Sequence, residues 1–192
     1  SAITTEPTWN AMNEVRDAYF ITENVLVETN CNETLTLTRP FAKLRVIASD
    51  LDYISGYAKP GYVEITYDTN VVKSFNAVNG NLNTDDLMKG EELTYGFEVN
   101  KNIPYTEGYD EKSSHQTLFT DYLFARADLQ DQVNFTMDVY ESKDGKLIRK
   151  IDFNTQIPIQ RNYLTTLIGD ILTTQTNINI EINDNFIDER VY

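Results

Sequence analysis

One stretch of this sequence has residue types that could do chemistry. Between Ile157 and Thr174 an Arg161-Asn162-Tyr163 run precedes Gly169-Asp170. A guanidinium, an amide and a phenol beside a Gly-Asp pair would suit a catalytic or nucleotide-binding site. The same residues would also suit an ordinary pair of strands. The choice depends on whether the rest of the chain supplies partners. His115 is the single histidine and lies in the polar "EKSSHQT", so a zinc site and a His-based triad lack their ligands. Cys31 is the single cysteine, in "ETNCNET", so no disulfide forms within the chain. Its polar setting, with no apolar run before it, suits an unreactive residue at a strand end or turn and not a lipidation site.

Phosphate-binding and hydrolase motifs are absent: there is no G-x-x-x-x-G-K, G-x-S-x-G or H-E-x-x-H pattern. Carboxylates are abundant, yet none stands in a pattern that separates a glycosidase pair from solvated surface charge. Thr84–Asp86 and Asp184–Glu189 are acidic enough to suggest calcium, but both lack the spacing of a Ca²⁺ loop. No catalytic, cofactor-binding or metal-binding residue is therefore expected. Tyr53, Tyr57, Tyr62, Tyr105 and Tyr109 lie in or near loops, where exposed rings could stack on sugars. Packing at strand ends is the competing reading, since tyrosine is common in β proteins.

The elements that must position these residues read as strands. Alternation sets Leu35 and Leu37 against Thr34, Thr36 and Thr38, and Ala42, Leu44 and Val46 inward against Lys43 and Arg45. It likewise sets Val63, Ile65 and Tyr67 against Glu64, Thr66 and Asp68, and Val133, Phe135, Met137 and Val139 against Asn134, Thr136 and Asp138. Ile178, Ile180 and Ile182 alternate with Asn177, Asn179, Glu181 and Asn183. Each pattern predicts one face in a core and one in water. Asp144-Gly145 between two such runs predicts a hairpin on a two-residue turn with glycine at positive φ, and Asn79-Gly80 predicts a weaker turn. A single short helix is expected near Thr8–Val15, with Thr8 as cap and Trp9 and Met12 at helical spacing. Loops are expected at Asp50–Gly61, Asn83–Glu92 and Asn100–Gln116.

Acidic residues outnumber basic ones 30 to 16 over 192 residues, for a net charge of −14. That charge repels nucleic acid and anionic membranes. No run of about 18 apolar residues suggests a helical membrane span, and no signal peptide opens the chain.

Two segments carry a resemblance. Asp17-Ala18-Tyr19-Phe20 followed by Leu37, Arg39, Pro40, Phe41, Ala42 and Leu44 resembles the "DAFF" and "L-x-R-P-F-A-x-L" pattern of fimbrillin-like surface proteins of the Bacteroidales, the type V pilin superfamily. Pro158, Arg161, Asn162, Thr165, Gly169, Leu172, Thr173 and Phe186 are similar to that family's closing pattern, and "TDYLFAR" to its "Y-x-L" segment. The resemblance implies an exported lipoprotein precursor at the outer membrane, with two β-sandwich domains of transthyretin-like, Greek-key type. It also implies polymerisation by donor-strand exchange, in which a neighbouring subunit fills a groove. Family members carry a long further segment before the first motif, so no donor strand or groove is assigned here.

The expected fold is thus all-β. Residues 1–86 are expected to complete part of a first sandwich and residues 87–192 to form a second; one sandwich from everything after Leu35 is the alternative. The expected function is a non-enzymatic cell-surface fimbrial or adhesion protein, whose partners are other fimbrial subunits or surface proteins, with no cofactor. A carbohydrate- or host-ligand-binding module that does not polymerise is the alternative, and a hydrolase with carboxylates hidden in loops comes third.

Overall fold

The computed structural model describes residues 2–4, 17–24, 32, 34–54, 59–68, 71–99, 115–174 and 176–183. Its strands are β1 (Ala2–Thr4), β2 (Phe41–Ala48), β3 (Tyr62–Tyr67), β4 (Ser74–Asn76), β5 (Asn81–Leu82), β6 (Thr94–Glu98), β7 (Gln116–Phe124), β8 (Asp131–Tyr140), β9 (Leu147–Ile159), β10 (Leu164–Asp170) and β11 (Thr176–Asn183). They form two four-stranded sheets, ordered β11-β10-β2-β7 and β6-β3-β8-β9, and a small sheet ordered β1-β4-β5. The fold is all-β, as the alternation predicts. The expected helix near Thr8–Val15 lies outside the described residues.

The core between the two larger sheets is built from the alternating residues. Val63, Ile65, Tyr67, Val133, Phe135, Met137 and Val139 are buried in one sheet and Ala42, Leu44, Val46, Phe119, Leu123 and Leu167 in the other, all in one cluster. Burying each valine, leucine, isoleucine, phenylalanine or methionine among them contributes roughly 1.5–3 kcal/mol. The division expected near residue 86 does not separate the strands. β2 precedes that point and pairs with β7 and β10 beyond it, while β3 pairs with β6 and β8. A cut there would break both sheets.

Three local expectations are corrected. Residues 34–37 form no strand; only Thr38 bridges, to Phe20, and Leu35 and Leu37 are 50% and 56% exposed. Lys43 and Arg45 do sit on the face of β2 opposite Leu44, but they are buried. That face is covered: Phe41, Tyr122 and Phe124 pack with Phe75 of β4 and with Phe20 in a second apolar cluster. The Lys43 ammonium lies 5.3 Å from the centroid of the Tyr122 ring, and Arg45 donates to Thr166 Oγ1 at 3.4 and 3.3 Å. The β8–β9 hairpin is present, but its turn runs over Ser142–Gly145, closed by Gly145 N–H donating to Ser142 O at 2.9 Å. Gly145 is not at positive φ. Its lack of a side chain serves close approach instead, since a Cβ there would lie 2.7 Å from the Ser142 nitrogen. The turn at Asn79-Gly80 does use positive φ, +74° at Gly80, and closes the β4–β5 hairpin.

One polar pair sits inside the main core. Tyr67 donates its phenol proton to Asp121 Oδ2 at 3.0 Å, and Asp121 Oδ1 accepts the Tyr122 N–H at 2.8 Å. Burial, with the Asp121 charge second, pushes the Tyr67 phenol well above its ordinary value near 10. A folded pKa above the unfolded one means the native state holds more protons, so this contribution is complete below about pH 10 and is lost as pH rises above it. Tyr67→Phe removes that alkaline loss and leaves a buried carboxylate short of a donor. Chemical denaturation at pH 7 should show a loss of about 1–3 kcal/mol. The same titration repeated toward pH 11 should show a shallower fall for the variant than for the native chain.

Candidate functional site

Asp17, Phe20, Arg39, Phe41, Arg161, Asn162 and Tyr163 gather at one end of the sandwich, where β2 and β10 begin and β7 and β9 end; Leu172 and Thr173 lie at the other end, and Phe186 lies outside the described residues. Arg39 pairs with Asp17 through Nε–Oδ1 at 2.6 Å and Nη2–Oδ2 at 2.9 Å, with both side chains almost wholly buried. The Tyr19 ring lies 4.5 Å from the Arg39 guanidinium carbon. Phe20 exchanges both backbone hydrogen bonds with Thr38 and sets its ring against Phe75. The "DAYF" and "RPF" segments therefore meet each other directly.

The Arg161-Asn162-Tyr163 run joins them. The chain leaves β9 in one sheet at Ile159 and enters β10 in the other at Leu164. The turn between them is closed by Tyr163 N–H donating to Gln160 O at 3.1 Å, with Asn162 at φ +67°. Asparagine tolerates that region better than most side chains. Asn162 N–H donates to Phe41 O at 2.8 Å, and Lys43 N–H donates to Tyr163 O at 3.0 Å. Arg161 is buried. It donates from Nε to Ala125 O at 2.8 Å and from Nη1 to Gly80 O at 2.9 Å, with its guanidinium carbon 5.7 and 5.4 Å from the Phe20 and Phe75 centroids. Burial lowers its pKa, and Asp128 and Asp131 act against that. Arg161 is thus an anchor in the interior of the fold. The segment is the end of one strand, a crossing between the sheets and the start of a second strand. Pro158 sits on the edge strand β9, and the ladder between β10 and β11 shifts register between Ile168 and Asp170, as the proline and Gly169 predict.

The opposite end of the sandwich carries an open cleft of about 320 Å³, lined by Tyr53, Ile54, Glu141, Lys146, Leu147, Ile148, Leu172 and Thr173. Its walls are the 3-10 turn Leu51–Tyr53, the β8–β9 hairpin and the turn after β10. Asp50 fixes two of these walls together. Fully buried, its carboxylate accepts Leu172 N–H at 3.2 Å, Thr173 N–H at 2.7 Å and Thr173 Oγ1–H at 2.7 Å. Hydrogen bonds to a charged group are worth roughly 1.5–3 kcal/mol each. Leu172 and Thr173 were singled out only as motif letters; nothing in the sequence links them to Asp50.

Of the loop tyrosines, Tyr53 is 77% exposed at the cleft, and Tyr62 is half-buried with its ring 6.2 Å from that of Tyr140. Tyr57, Tyr105, Tyr109, Cys31 and the acidic run Asp184–Glu189 lie outside the described residues. Asp86, of the other acidic run, lies 3.8 Å from Lys73 Nζ. His115 is half-buried just before β7. Among the described residues no group of three or more His, Cys, Asp or Glu side chains is placed to hold a metal, and no helix is long and apolar enough to cross a membrane.

The buried Asp17–Arg39 pair yields a quantitative expectation. Arg39→Met should cost about 3–5 kcal/mol, because it takes the guanidinium away from a buried carboxylate. Adding Asp17→Leu should recover part of that loss, and equilibrium unfolding of the two single variants and the double variant measures the coupling.

No curated protein matches the chain. Among solved structures, a chain described as a "putative cell adhesion protein" from Bacteroides uniformis ATCC 8492 is similar at 15% identity with a TM-score of 0.36. The likeness covers 77% of this chain and 52% of that one, so this chain spans about half the length of that structure's chain. The family model that matches is not a fimbrillin model; it is DUF6562, and it matches residues 1–191. The chain therefore belongs to DUF6562, a family of unknown function.

Proposed function

We propose that the protein is a non-catalytic cell-surface protein of adhesion or fimbrial type, which works by accepting an extended strand from another subunit or surface protein. The observation that carries this is the β11 edge. β11 pairs with β10 alone, so its outer backbone groups have no strand beside them among the described residues. Ile180 and Ile182 stand opposite Leu167 and Thr165, on the core face, yet remain 40% and 42% exposed. The opposing sheet ends at β9, leaving these isoleucines beyond its cover.

Edge strands are commonly blunted by proline and by charge. β9 has both, with Pro158, Arg149 and Lys150. β11, "TNINIEIN", has no proline and no lysine, and its one charged side chain, Glu181, alternates with the isoleucines. A strand added there would complete backbone hydrogen bonds and cover apolar surface at once, which is how strand addition binds. Covering the exposed part of each isoleucine contributes on the order of 1 kcal/mol. The motif order that resembles fimbrillin-like proteins supports the same reading.

Size-exclusion chromatography with light scattering, together with electron microscopy of the mature surface protein, tests it. Strand-mediated association is expected, and Ile180→Asp with Ile182→Asp should reduce it at least tenfold while leaving thermal unfolding within a few degrees. Concentration-independent monomers without filaments or surface-protein partners would sink the proposal.

A further inference from the structure

We infer that the cleft at the Tyr53 end of the sandwich is a binding site for a neutral saccharide. This stands apart from the strand-addition reading, because no cleft residue belongs to β11. At about 320 Å³ the cleft lies at the small end of ligand sites, which span roughly 300–1,000 Å³. That size class suits one or two sugar rings.

The lining divides into an apolar part and a polar part. Tyr53 and Leu147 are the most exposed apolar side chains of the cleft, with Ile54 and Ile148 half-buried beside them. A sugar presents one face of C–H groups that such a surface covers, and an exposed phenol ring adds a hydroxyl at its rim. The polar part is Glu141, Lys146 and Thr173. It combines a carboxylate that only accepts hydrogen bonds with an ammonium that only donates them. The Thr173 hydroxyl already donates to Asp50, so toward a ligand it offers lone pairs. Sugar hydroxyls both donate and accept, and can use all three groups. A nucleotide or an anionic glycan would face Glu141 and a chain of net charge −14.

The platform is also held in advance of binding. Asp50 clamps Leu172 and Thr173, and Glu141 N–H donates to Lys146 O at 3.0 Å across the hairpin. A site fixed in this way loses little ordering entropy when it fills.

The test is an array of neutral oligosaccharides (glucans, galactans, mannans and xylans) alongside sialylated and sulfated ones, followed by calorimetry on any ligand found. The expected result is binding to a neutral glycan that falls at least tenfold in Tyr53→Ala and in Glu141→Gln, with thermal unfolding unchanged. Tyr53→Phe should keep most of the affinity, since it keeps the ring. No binding to any neutral glycan at millimolar concentration would overturn the inference. So would binding confined to sulfated or sialylated glycans, or neutral binding that both variants leave intact.

Discussion

The Arg161 guanidinium is the interaction on which the arrangement of layers depends. At Arg161 the chain passes from one large sheet to the other, and the same side chain reaches the β4–β5 hairpin through Gly80 O and the end of β7 through Ala125 O. Its faces lie near Phe20 and Phe75, so the cation also completes the small aromatic cluster outside the main sandwich. A buried guanidinium costs several kcal/mol in lost hydration unless its donors are met. Two carbonyl oxygens and two aromatic rings meet that demand here. They come from segments far apart in sequence, which makes the crossing geometry hard to replace by another. Lysine would keep the charge but lose the fork that bonds two carbonyls at once.

This constraint explains what the polar motif residues do within the fold. Arg39 holds Asp17, Arg161 holds backbone carbonyls, and Asn162 takes the left-handed turn beside Phe41. Their polarity is spent inside the fold. Thr165 behaves similarly, donating to Pro158 O at 2.7 Å and so tying the start of β10 to the end of β9. Groups that do face solvent in a concave setting lie at the other end, around Tyr53 and Leu147, where the surrounding backbone is held by Asp50.

Much of this fold was legible from period-2 alternation. β3 and β8 bury the residues their patterns place inward, because both lie inside a sheet with one face on the core. Alternation says which face a residue takes but not what covers the other face. Lys43 and Arg45 were read as solvent-facing, and the added layer over β2 and β7 is what buries them. Nor does it give strand partners. The parallel pairing of β2 with β10, Leu44 beside Thr165, links residues more than a hundred positions apart and leaves no local mark. Leu35 and Leu37 show the reverse error: a perfect alternation with no strand paired to it among the described residues. Asp144-Gly145 marked the hairpin correctly for the wrong reason, since the glycine answers a close contact and not a positive φ. The cleft was legible only as one loop tyrosine, because its other residues converge from the hairpin and the turn after β10.

That turn, Ile171–Thr174, connects the two surfaces proposed for binding. Leu172 and Thr173 line the cleft, and the chain then runs directly into β11, whose edge faces outward. Without the Asp50 clamp, a strand added to β11 could pull on the turn and reshape the cleft. With it, the turn is tied to the end of β2, a strand flanked by neighbours on both sides in the middle of its sheet. Displacing Leu172 or Thr173 would break hydrogen bonds to a buried carboxylate and leave it partly unmet, at about 1–3 kcal/mol or more. A load on β11 therefore passes into the sheet through β10 and β2 before it reaches the cleft. On this geometry the two proposed surfaces would work independently of one another.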